Sequence, residues 1–89
     1  MSGEKVLSSA QCRAARAMLN WNREELAAKC GVSRPTLADF EADKRNPYDR
    51  TLADIRRAFE AEGLEFIPEN GGGAGIRFRN RADGTREEH

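Results

Sequence analysis

The sequence predicts a mainly α-helical fold of four short helices in one small domain, closed by two short strands. Three observations predict it. Capping residues recur at Ser8, Asn22 and Ser33, each just ahead of an apolar pattern of helical period. Glycine or proline stands where those patterns must stop, at Gly31, Pro47 and Gly63. Beyond Gly63 the apolar residues change from helical spacing to strict alternation, the period of a strand.

Residues 1–7 are expected to be a flexible N-terminus. Ser8 with Gln11 makes a capping box, so helix one is predicted from about Ser9 to Leu19, with Ala14, Ala15, Met18 and Leu19 as its apolar stripe. Asn22 and Glu25 make a second box, and Trp21 with Leu26 fills the two positions of a hydrophobic staple, which places Trp21 against helices one and two. Helix two stops at Gly31, where the chain reverses through a left-handed residue. Helix three starts from Ser33, with Val32 and Leu37 as its staple; Pro35 falls in the first turn, where a missing N–H costs nothing.

Lys44 to Tyr48 forms a turn broken by Pro47, and Asp49 is positioned to cap a fourth helix ending near Gly63. Leu52, Ile55 and Phe59 face its core side at spacings of three and four. The domain thus covers residues 8–63, followed by a β extension at 64–79 and a polar tail at 80–89 that is expected to be disordered. In the extension, Leu64 and Phe66 alternate with Glu65, and Ile76 and Phe78 with Arg77 and Arg79. A lone hairpin is marginal in water, so its apolar face must lie on the helices or its edge must pair with a second copy. Pairing across a homodimer is the favoured reading, which makes Leu64, Phe66, Ile76 and Phe78 a dimer interface.

Composition limits what such a chain can do. Its 89 residues, 38% hydrophobic, support one small core and no substrate-enclosing domain. No apolar run approaches a membrane span or a signal peptide, which points to the cytoplasm. Cys12 and Cys30 do not form a CxxC pair and the single histidine is His89, so no metal or cofactor is expected and the thiols read as buried and free; a redox switch between helices one and two is the alternative. The run Gly71–Gly75 lacks both the GxGxxG spacing and a Walker lysine, so it reads as a connector rather than a phosphate cradle. No nucleophile with a base and no carboxylate pair in a cleft argues for an enzyme.

What the pattern does offer is a helix-turn-helix, two short helices joined by a tight turn, the second with one apolar and one bare polar face. The fifteen basic and fifteen acidic side chains cancel, however, so the overall charge lacks the basic signature of a nucleic-acid binder.

The segment from Gln11 to about Phe59 resembles the Cro/C1-type, or XRE, helix-turn-helix family of bacterial and phage regulators. The matching pieces are Arg16, Glu24 to Ala27, Gly31 to Ser33, Thr36 with Leu37, Glu41, Pro47, and the series Leu52, Ile55 and Phe59. The resemblance implies a lambda-repressor-like domain in which Asn22 and Arg23 lie over the DNA backbone, and Ser33, Arg34, Pro35, Thr36 and Asp39 face the major groove. It implies further that Arg16 and Glu41 pair across the bundle as a structural ion pair. Arg23 stands where the family usually has Gln, exchanging an amide contact for a charged one. Asp39 is an acid at a base-reading position; it either accepts from cytosine N4 or points aside. Lys44, Arg45, Tyr48 and Arg50 are further DNA-binding candidates, the last two for phosphates.

The leading expectation is therefore a sequence-specific regulator, a repressor binding double-stranded DNA at a palindromic operator as a homodimer. Two other readings stand beside it. One is an antitoxin-type DNA-binding partner whose C-terminal extension grips a toxin. The other is a protein-interaction module that no longer binds DNA, supported by the neutral charge and Asp39.

Overall fold

A computed structural model of the chain describes residues 6–68 and 71–79. Four helices, α1 (Ser9–Leu19), α2 (Arg23–Cys30), α3 (Arg34–Glu41) and α4 (Asp49–Ala61), are followed by strands β1 (Leu64–Ile67) and β2 (Gly75–Phe78). The tail expected at residues 80–89 and the first five residues lie outside the described residues.

Local capping chemistry sets the helix starts. The Ser8 hydroxyl accepts from the Gln11 amide at 3.0 Å while the Gln11 side chain accepts from the Ser8 amide at 3.1 Å. Asn22 and Glu25 exchange the same pair of bonds at 2.8 Å each. Each box satisfies donors that the first helical turn leaves orphaned. α1 ends on left-handed Asn20 and α2 on left-handed Gly31. After α3 the chain turns through Asp43 at φ 63°, a conformation that Asp tolerates better than most residues, and the Ser9 hydroxyl holds its carboxylate at 2.6 Å.

The start of α4 differs from expectation. Tyr48, not Asp49, is the N-cap; it gives no side-chain cap, and Asp49 is the first helical residue. Tyr48 continues the extended backbone that follows Pro47, and Asp49 then places its charge in the first turn, where the helix dipole favours an anion.

The core gathers Leu7, Cys12, Ala15, Leu26, Leu37, Phe40, Leu52, Ile55, Phe59, Leu64 and Phe66. Three expectations need correction here. The flexible N-terminus does not extend to Leu7, which is fully buried, while the carbonyl of Val6 accepts from Arg56 at 3.0 Å. The α1 stripe runs through Cys12 and Ala15, with Met18 and Leu19 at its edge, rather than through Ala14. The expected packing of Trp21 on helices one and two is incomplete: Lys29 of α2 lies over its ring at 5.8 Å, but the ring also stacks on Phe59 of α4, with centroids 5.7 Å apart, because the turn after α1 carries it onto the last helix.

The strands form an antiparallel hairpin within the chain, with Leu64 opposite Phe78 and Phe66 opposite Ile76. Its apolar face lies on the helices: Phe66 sits 6.1 Å from Phe59, and Leu64 is fully buried. Gln11 donates to the Gly75 carbonyl at 2.8 Å, tying β2 to α1. Pairing across a dimer is thus not what satisfies these strands. Leu64 and Phe66, expected at a dimer interface, belong to the chain's own core because α4 supplies the cover an isolated hairpin lacks. Ile76 and Phe78 stay only half-buried.

Candidate nucleic-acid interface

The position of α3 is fixed at both ends. At its start, the Ser33 hydroxyl accepts from the Thr36 amide and Pro35 occupies the first turn. Leu37 and Phe40 anchor its inner face in the core. At its end, Glu41 is 3% exposed yet fully coordinated. Arg16 donates to both carboxylate oxygens at 2.8 Å, Arg23 to one at 3.0 Å and the Cys12 thiol to the other at 3.1 Å. Burial pushes the Glu41 carboxyl up, but the bonds from Arg16, Cys12 and Arg23 outweigh it and hold the group below the usual carboxylate range. One carboxylate therefore locks α1, α2 and α3 together.

This arrangement leaves the first turn of α3 proud of the surface, with Arg34 and Pro35 exposed and a shallow groove on either side. One groove is lined by Asn22, Arg23 and Glu24 of the α2 start with Arg34, Pro35 and Ala38. The other is lined by Thr36 with Arg45, Asn46, Pro47, Tyr48 and Thr51. Tyr48 is 84% exposed there. Ala38, Asn46 and Thr51 were not singled out from the sequence, and Glu24 was named only as part of the family match; the proximity of Asn46 to Pro47 was the one hint.

The expected contact residues have unequal freedom. The Asn22 side chain is engaged as an N-cap, and Arg23 leans on Glu41 while remaining about half exposed. The Ser33 hydroxyl donates to the Thr36 hydroxyl at 2.9 Å, which also receives Arg45 at 3.0 Å. Asp39 is half-buried and makes no side-chain bond to the other described residues.

Half of the described cations are neutralised in place. Arg16 and Arg23 meet Glu41, Lys29 meets Glu62, Arg56 meets Glu60, Arg57 meets Asp54 and Arg77 meets Glu65. Arg13 and Arg79 donate to backbone carbonyls. Among the described residues, the side chains left without an acceptor in their own chain are Arg34, Lys44 and Arg50, in α3, the turn after it and the start of α4. The same stretch also carries Asp39, Asp43 and Asp49, and the start of α2 carries Glu24 and Glu25, none of them in an ion pair among the described residues.

A short helix buttressed from behind and raised between two grooves has the form of the second helix of a DNA-binding helix-turn-helix domain. A helix-turn-helix family model matches residues 13–66, which is more than half of the chain, and the chain belongs to this XRE-type family of DNA-binding regulators. No curated protein matches the chain. Among the described residues, no helix is long and apolar enough to cross a membrane, and no group of His, Cys, Asp and Glu side chains could hold a metal ion.

Proposed function

We propose that the chain is a sequence-specific transcriptional repressor that binds a palindromic operator as a homodimer and excludes polymerase from it. In this reading α3 enters the major groove, where Arg34 and Thr36 read base edges, and the flanking grooves take the sugar-phosphate backbones. Asn22 and Arg23 lie along one backbone; Lys44, Tyr48 and Arg50 lie along the other.

The observation that carries the reading is the location of Arg34, Lys44 and Arg50, the cations without a partner among the described residues. The half-buried Ile76 and Phe78 offer apolar surface that a second copy could cover. Two copies would present their α3 helices about 34 Å apart, one duplex turn.

Selection of bound duplexes from a random pool, followed by a salt titration on the winner, tests the proposal. Enrichment of an inverted repeat supports it. Loss of all binding even at low salt would move the search to protein partners.

A further inference from the structure

Thr36 and Arg45 lie nine residues apart, yet they meet in the groove beside α3: the Arg45 guanidinium donates to the Thr36 hydroxyl oxygen at 3.0 Å, and the Ser33 hydroxyl donates to the same oxygen at 2.9 Å. A threonine hydroxyl has two acceptor lone pairs and one O–H. With both lone pairs taken, what Thr36 still offers a ligand is a donor. Arg45 keeps its remaining N–H groups, all of them donors, on an exposed side chain.

Resting on the reading of α3 as the helix that enters the major groove, we propose that Thr36 and Arg45 act as one specificity-determining unit that selects guanine. Two donors held side by side match the paired acceptors N7 and O6 that guanine alone presents in the major groove. Cytosine offers N4–H donors there and adenine an N6–H beside N7, so each would set a donor against a donor. The clamp also restricts the Arg45 side chain before binding, so less freedom is lost when the contact forms.

The test compares the full-length protein with T36V, T36S, R45A and the T36V/R45A double variant, each by duplex selection and by titration on the selected site at several salt concentrations. T36V and R45A are expected to relax preference at the same guanine, each by about tenfold, while the double variant loses no more than about tenfold because the two groups act together. T36S, which keeps the hydroxyl, should retain the preference. In the free protein, T36V should also shift the Arg45 guanidinium NMR resonances.

Losses that multiply to about a hundredfold would overturn the proposal. So would an R45A variant that weakens all sequences evenly and makes the salt slope shallower by about one, the signature of a plain phosphate contact. A selected site with no guanine affected by either variant would also overturn it. Failure of the parent protein to bind any duplex would refute the regulator reading itself, a different outcome from all of these.

Discussion

Arg16 grips both carboxylate oxygens of Glu41 at 2.8 Å, so a residue in the last turn of α1 holds the last residue of α3. The same arginine donates to the Trp21 carbonyl at 3.1 Å, adding the α1–α2 connection to the cluster. The ion pair therefore sets the orientation of the raised helix as well as contributing to stability.

Removing one member of a buried, satisfied pair leaves the other charge uncompensated. Glu41→Ala should lower unfolding free energy by about 3–5 kcal/mol, read by urea denaturation at pH 7. A loss below about 1 kcal/mol would place the pair among ordinary surface contacts.

The same carboxylate predicts an acid dependence. Its folded pKa is depressed, so its contribution is fully present above the unfolded value of about 4.3 and is lost as pH falls through the lower folded value. Urea midpoints should hold steady from pH 7 to pH 5 and decline below about pH 4. In Glu41→Gln the decline should be shallower, since that proton uptake is gone.

The two cysteines should differ in reactivity. Burial raises both thiols, Cys12 the more strongly, and Cys12 is fully buried with its Sγ–H on Glu41 while Cys30 is half-buried. Alkylation at pH 8 followed by mass spectrometry should find Cys30 modified first and Cys12 modified only on unfolding. Modification of Cys12 at the rate of Cys30 would mean that α1 opens readily.

The two faces of α3 should separate in mutagenesis. Phe40→Ala removes a core ring and should cost roughly 3–5 kcal/mol of stability. Arg34→Ala should melt within about 0.5 kcal/mol of the parent, as an exposed residue with no partner among the described residues, while weakening binding to the selected duplex. Thermal melts and a binding titration on the two proteins decide the matter.

What the sequence revealed was mostly what is decided within a few residues. The boxes at Ser8 and Asn22, the stop at Gly31 and the burial of Leu37 and Phe40 all depend on neighbours within about one helical turn. Apart from the start of α4, one residue from where Asp49 was expected to cap it, the misreadings came where distant partners decide. Trp21 was drawn to Phe59, Leu7 was buried by the assembled bundle, and Leu64 and Phe66 found cover on α4 instead of on a second chain. Position relative to the fold also governs the interface. The counts of Arg and Asp were plain, but which arginines are neutralised depends on contacts such as Arg77 with Glu65 across the hairpin, and nothing in the spacing foretold Arg45 on Thr36.

The interleaving of cations with acids bears on how such a regulator would find its site. A protein with a strongly basic surface clings to any stretch of duplex and slides along it. One whose face sets Arg34, Lys44, Arg45 and Arg50 among Glu24, Asp39 and Asp49 would hold wrong sequences only briefly and search by repeated short visits. Its residence on the chromosome would then be governed by the base pairs it recognises rather than by the polymer's charge, and the regulated promoter would respond quickly when the concentration of the protein changed.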